Sequence, residues 1–270
     1  MTFIHLFKAV RRVGSITAII AIASRPWIYA SDVPAVTLPA AAVTNNAVMP
    51  VMWLEKDSYD WGKRHAKVLE LQKTLDPDIV LFGDSITHFW GGPPLAGHVN
   101  GPNAWADTFG SHRVLNMGFG WDRTQNVLWR LEHGEMDGPH PKVVVINIGT
   151  NNFSKTSNAR ENTPMEVAEA IAAIVDGVRQ KSPSSRIVVM GVFPRGFSVD
   201  NPYRAKIRAL NALLAAQLAG QPSTTFLDIS DKFLSKDGTI SPTILFDGTH
   251  PTEAGYAIWG KALVAAGVLR

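Results

Sequence analysis

Cysteine is absent from the 270 residues. That excludes thiol nucleophiles, thiolate metal sites and a disulfide framework, while leaving the compartment open, since exported proteins can also lack cystine. Charge is scarce as well, at 18% of residues, and 26 basic against 23 acidic side chains leave a formal net charge of only +3. Several of the basic residues fall within the first dozen positions, so the remainder is nearly balanced and offers no electrostatic case for a nucleic-acid partner. No apolar run is long enough to span a bilayer comfortably. No dinucleotide fingerprint is present either: Gly118 and Gly120 lack the third glycine of that motif and read as tight-turn residues. His98, His112, His133 and His140 have no acidic or histidine partner at ligand spacing, so neither a metal nor a cofactor is expected. What the chain does have is apolar residues, 46% of the total, enough to build the core of one α/β domain.

The N-terminus speaks to the compartment. Lys8, Arg11 and Arg12 precede an apolar run from Val13 to Ala23, and small residues recur up to Ala30. This is the layout of a basic region, a short hydrophobic region and a cleavage site, so residues 1–30 are read as a signal peptide and the product as periplasmic or secreted. An uncleaved anchor is the alternative reading of the same run; after processing, no stable membrane insertion is expected. Residues 31–50, rich in Ala, Pro and Val without a period, are expected to be a linker, which leaves 51–270 as the folded domain.

Beyond the linker, helix-like and strand-like segments alternate. Helical spacing covers 60–75, 123–131, 165–180, 203–218 and 253–269; short apolar runs at 79–82, 143–148, 187–192 and 225–229 read as strands. Strands that are apolar throughout and separated by helices imply a mainly parallel sheet covered on both faces. Ligands of such sheets bind beyond the carboxyl ends of the strands, so the polar residues that follow each strand are the ones to inspect.

Three clusters meet that condition. Gly83-Asp84-Ser85-Ile86-Thr87 places a serine where the chain turns out of a strand into a helix; an exposed nucleophile and an ordinary helix cap are both compatible with it. Asp247-Gly-Thr-His250 spaces a carboxylate and an imidazole so that one turn can pair them. The carboxylate would then orient the ring and leave its other nitrogen as a general base, against the plainer reading of a capping turn with a surface histidine. Gly149-Thr150-Asn151-Asn152 offers amide donors to a developing oxyanion, an interaction worth about 3 kcal/mol, or forms a simple Asn-rich turn. The conjunction matters more than any one cluster, because the sheet would bring all three to one edge.

Taken in chain order, the blocks at 83–87, 149–152 and 247–250 resemble those of the SGNH or GDSL hydrolases, and the likeness runs from about Ile79 to Leu269. Val127-Leu-Trp-Arg-Leu-Glu132, Pro194-Arg-Gly196 and Asp237-Gly-Thr-Ile240 are similar to the branch that holds the platelet-activating factor acetylhydrolase catalytic subunits and related bacterial esterases. The resemblance implies a flavodoxin-like three-layer α/β/α sandwich with about five mainly parallel strands, and metal-free hydrolysis of short acyl esters. Carried over, it makes Ser85 the nucleophile, His250 the base, Asp247 its orienting acid, and Ser85, Trp121 and Asn151 the oxyanion hole. One block departs from the pattern: where the family has glycine before the aspartate of Asn116-Met-Gly-Phe-Gly-Trp-Asp122, this chain has Trp121. Tryptophan keeps the backbone N–H that such a hole uses, at a cost in room.

Other prominent residues read as structural. Asp84 is expected to accept local backbone bonds, Arg195 and Asp122 to tie loops together, and His88 with Trp90, Gly91 and Gly92 to form a helix end. The expected partner is a small-molecule or carbohydrate ester, with carbohydrate O-acetyl groups natural for an exported enzyme; a homodimer stays open. A lysophospholipid or lipid acyl hydrolase, an acyl transferase to sugars, and a non-catalytic glycan-binding module are the competing readings.

Overall fold

The computed structural model describes residues 44–110 and 112–269, which belong to one compact unit. The segment read as a signal peptide and most of the expected linker lie outside the described residues. Five strands form the sheet: β1 (Ile79–Gly83), β2 (Val114–Gly118), β3 (Val143–Asn147), β4 (Arg186–Met190) and β5 (Thr224–Leu227). All pairings are parallel and the order is β2-β1-β3-β4-β5, the flavodoxin-like arrangement expected from sequence.

Both faces of the sheet are covered, and the pleat sorts the strand residues between them. Val80, Phe82, Leu115, Met117, Val144, Ile146, Ile187 and Val189 join one buried cluster with α1 (Trp61–Thr74), α4 (Thr124–Glu132), α5 (Pro164–Lys181) and α6 (Pro202–Leu218). Ile79, Leu81, Val114, Val143, Val145, Val188 and Met190 face the other cluster, with α3 (Pro102–Phe109) and α7 (Glu253–Ala265). A short helix, α2 (Ser85–His88), follows β1 directly. Strands buried on two sides need apolar residues at every position, which is why these runs do not alternate.

Helix starts follow local chemistry. The Asp60 side chain accepts from Lys63 N at 2.9 Å to open α1. Thr163 and Glu166 cap α5 reciprocally, with Pro164 at its first position. The closing helix stops at Ala265, short of the expected Leu269.

Three features depart from the sequence expectation. Strand β2 and helix α3 were not among the expected elements. Asn116 interrupts the apolar run of β2, yet it is fully buried: its amide donates to Thr87 O at 2.8 Å and Gly91 O at 2.7 Å, and its carbonyl accepts from Gly118 N at 2.8 Å. Third, the end of the expected linker is docked to the domain. Asn45 Nδ2 donates to Glu169 Oε2 at 2.8 Å on α5, and Thr124 Oγ1 donates to the carbonyl of the buried Ala47 at 2.9 Å.

A buried charged cluster ties α4 to the loop after β2. Arg130 donates through Nε to Asp122 Oδ2 at 2.9 Å and through Nη1 to Glu135, while its guanidinium lies 4.2 Å from the Phe119 ring centre. The second Asp122 oxygen accepts from Trp61 Nε1 at 2.8 Å. Burial opposes the charge on Arg130, but Glu135 and Asp122 hold its pKa above the ordinary arginine value. Replacing Arg130 by methionine leaves two buried carboxylates without their cation and is expected to lower stability by about 3–5 kcal/mol in urea unfolding. A loss below about 1 kcal/mol would show that the cluster is not held together by this ion pair.

Candidate active site

The topology delivers the three polar clusters to one end of the sheet. Ser85 begins α2 after β1, the Thr150–Phe153 turn follows β3, and His250 precedes α7. In this strand order the chain reverses its winding between β1 and β3, and the crevice of an open α/β sheet lies at such a switch point.

Ser85 and His250 lie 165 residues apart in sequence and meet at 2.8 Å between Oγ and Nε2. On the other side of the ring, His250 Nδ1 lies 2.7 Å from Asp247 Oδ2. A carboxylate can only accept, so the ring proton sits on Nδ1 and Nε2 is left to accept from the serine hydroxyl. The turn that holds Asp247 is itself well braced: its Oδ1 accepts from Thr249 N at 2.9 Å and His250 N at 2.8 Å. Partial burial works against the Asp247 charge, but these amides and the imidazole outweigh it and keep its carboxyl below the usual carboxylate range. Asp84, by contrast, is fully buried, and burial pushes it up to about 7 against the hydrogen bond it accepts from Ile86 N at 2.9 Å. It is thus a local backbone acceptor, as read from the sequence.

Ser85, His250 and Asp247 open on a cavity of about 300 Å³, lined also by Asp57, Phe89, Trp121, Asn151, Arg195 and Thr249. Every site residue expected from the sequence is therefore at this cavity. Asn151 donates through Nδ2 to Asp122 O at 3.0 Å, which orients the amide and uses one of its two protons. Its neighbour Asn152 has a different task, bridging Thr124, Gln125 and Asn162 beneath the cleft. Among the described residues, no protein acceptor takes the N–H of Ser85 or Trp121.

Trp121 stands in a backbone conformation that favours glycine. Its φ is 64°, in the left-handed region, which costs a side-chain-bearing residue roughly 1–2 kcal/mol. The surrounding loop holds it there. Gly120 N donates to His88 Nδ1 at 3.3 Å, and Gly120 O accepts from Tyr59 Oη at 3.1 Å. Burial, with the charge of Arg64 next, pushes His88 down to about 2, so the ring is neutral and can accept. His88 thus braces the loop that leads to Trp121. Arg195 donates to Ser154 Oγ at 3.1 Å and so joins two loops, yet it also borders the cavity.

Asp57, Phe89 and Thr249 line the site without having been singled out from the sequence. Thr249 lay inside the Asp247–His250 block and was legible by position. Asp57 belongs to no motif, and nothing short of the folded chain shows that it reaches the cleft. Among the described residues, no group of three or more His, Asp or Glu side chains is placed to hold a metal ion, and no helix is long and apolar enough to cross a membrane.

Comparison with known proteins agrees with this architecture. The GDSL-like lipase/acylhydrolase family model matches residues 81–258. Human platelet-activating factor acetylhydrolase IB subunit alpha1 is 37% identical over 203 residues, covering 75% of this chain and 80% of the relative. The mouse alpha2 subunit is 36% identical over 197 residues, covering 73% and 79%. Among solved structures, a GDSL-like lipase from Bacteroides thetaiotaomicron superposes with a TM-score of 0.56 at 20% identity, over 75% of this chain and 97% of the other. A mutant of Axe2, an acetyl-xylooligosaccharide esterase from Geobacillus, gives 0.56 at 18% identity, over 70% and 93%. A match over most of the domain, together with relatives above one-third identity, makes this chain a member of the GDSL-like lipase/acylhydrolase family, a hydrolase acting on esters.

Proposed function

We propose that the protein hydrolyses short-chain acyl esters, acetyl esters foremost, through a covalent acyl-serine on Ser85. The observation that carries this reading is the unbroken hydrogen-bonded chain from Asp247 through His250 to Ser85, ending in a cavity of about 300 Å³. His250 Nε2 takes the hydroxyl proton as Oγ attacks the ester carbonyl, and the imidazolium so formed is stabilised by Asp247. The oxyanion draws on the N–H groups of Ser85 and Trp121 and on the Asn151 amide, all at the cavity wall. His250 then returns its proton to the departing alcohol oxygen, and the acyl-serine remains. Water, deprotonated by the same ring, releases the acid and restores the hydroxyl.

The preference for a short acyl group rests on Trp121, whose indole stands at the cavity where the family has glycine. The acetylhydrolase and acetyl-xylooligosaccharide esterase names of its relatives and structural neighbours point the same way. Carbohydrate O-acetyl groups are the natural substrate class for an exported enzyme, and export itself is proposed from the basic, apolar and small-residue pattern of residues 1–30.

Ser85→Ala is expected to lower p-nitrophenyl acetate hydrolysis by at least about 10³-fold while the far-ultraviolet circular dichroism stays native. Equal rates for the two proteins would contradict the proposal. Trp121→Gly is expected to raise the rate on the butyrate ester relative to the acetate by roughly tenfold, since methylene discrimination in a pocket is of that order; an unchanged ratio would remove Trp121 from acyl selection. Asp247 has a lower pKa folded than unfolded, so its contribution to stability is complete above about pH 4 and is lost as the pH falls through the folded value. The stability difference between the native protein and Asp247→Asn, from urea unfolding, should accordingly shrink as the pH falls below about 4. A difference that keeps growing as the pH falls from about 4 to about 2 would reverse that sign.

A further inference from the structure

The cleft does not end at its own wall. A second groove, of about 550 Å³, is lined by Met52, Trp53, Lys56, Asp57, Ser58 and Tyr59 among others. Asp57 lines both, so the groove adjoins the catalytic cavity at this side chain. We propose that this groove is a saccharide subsite, in which Trp53 and Asp57 hold the sugar chain of an acetylated oligosaccharide while its acetyl group occupies the catalytic cavity. The proposal rests on the esterase reading given above and adds to it a binding site for the carbohydrate moiety.

Trp53 is 48% exposed, so its side chain is open to a ligand in the groove. Its one polar atom is already used, because Nε1 donates to Glu55 O at 2.5 Å. What it offers to a ligand is therefore carbon surface. The same residue also borders a further groove with Leu54, Glu55, Lys56 and Asn158, so the indole stands between two depressions. Around it lie Lys56, Asp57, Ser58 and Asp60.

That combination selects among ligands. A pyranose has an apolar C–H face and a rim of hydroxyls, and a single flat platform surrounded by donors and acceptors complements both. A fatty acyl chain would desolvate Lys56, Asp57 and Asp60 without giving them any partner. A quaternary ammonium calls for several open ring faces around the cation, but here Trp61 is buried and Tyr59 is only partly exposed, which leaves Trp53 as the one half-open face.

Asp57 is well placed for the junction. A Cβ on Gly120 would lie 2.0 Å from Asp57 Oδ2, so the carboxylate packs against the backbone just before Trp121. Its other oxygen accepts from Ser58 N at 2.6 Å, which restrains the side chain. A sugar hydroxyl passing from the groove to the cavity would find an acceptor there.

The test uses partially acetylated xylo-, manno- and cello-oligosaccharides of four units, the corresponding acetylated monosaccharides, and p-nitrophenyl acetate, with the native protein, Trp53→Ala and Trp53→Phe. Trp53→Ala is expected to raise KM about tenfold for at least one acetylated tetrasaccharide, at nearly unchanged kcat, with Trp53→Phe recovering part of the loss. Acetylated monosaccharide and p-nitrophenyl acetate should be turned over at the native rate by both variants. In the Ser85→Ala background, the unacetylated tetrasaccharide should perturb tryptophan fluorescence, and adding Trp53→Ala should abolish the change. The subsite is overturned if Trp53→Ala leaves every tetrasaccharide KM at the native value, if no tetrasaccharide is preferred over its monosaccharide, or if choline competes with p-nitrophenyl acetate in a Trp53-dependent way. In each of these cases the native protein still turns over p-nitrophenyl acetate when no competitor is added, whereas failure of the esterase reading itself would abolish that turnover.

Discussion

The close approach of β1 to its two neighbours governs the geometry of the cleft. Gly83 is paired with Gly118 on one side and Asn147 on the other. A Cβ on Gly83 would fall 2.0 Å from Thr87 Oγ1 and 2.6 Å from Asn147 O, and one on Gly118 would fall 2.3 Å from His88 N. Only bare backbone lets α2 fold back over the strand ends at this distance. Ser85 is thereby held in the first turn of a helix whose four residues are all buried, on the floor of the cleft and not on a free loop. A floor this rigid lets a histidine from a distant part of the chain find the hydroxyl at 2.8 Å.

A second layer of buried polar groups fixes the walls. Asp122 receives Trp61 and Arg130 through its carboxylate and Asn151 through its carbonyl, so one residue connects α1, α4 and the turn after β3. Arg64 donates to the carbonyls of Gly118, Pro94 and Asn116, which braces the loop on the other side of β2. Buried networks of this kind are costly when partly satisfied and rigid when complete. The left-handed backbone at Trp121 is sustained by the loop contacts at Gly120, which connects the network to the shape of the cavity.

Much of this was legible in the sequence, for physical reasons that also explain the exceptions. Strands β1, β3 and β4 are buried on both faces, so they stand out as apolar runs, and the short Asp247–His250 spacing encodes its own turn. Strand β2 was hidden because Asn116 is polar by composition but satisfied by backbone partners that only the fold supplies. The docked residues at the end of the expected linker were obscured in the same way, since Asn45 and Ala47 act through partners on α4 and α5 more than 70 residues away. The glycine-to-tryptophan change at position 121 was visible, along with the question of its φ, but the value required the surrounding loop. Asp57 carried no signal at all: it reaches the cavity only through the fold, and cavities have no sequence pattern.

The central claim is that Ser85 is made nucleophilic by the His250–Asp247 pair. Its most direct test is treatment of the native protein with a serine-reactive fluorophosphonate, followed by peptide mass spectrometry. One adduct per chain is expected, on the peptide containing Ser85, and it should disappear in folded His250→Ala. Labelling on another residue, or labelling of Ser85 at the same rate without His250, would contradict it.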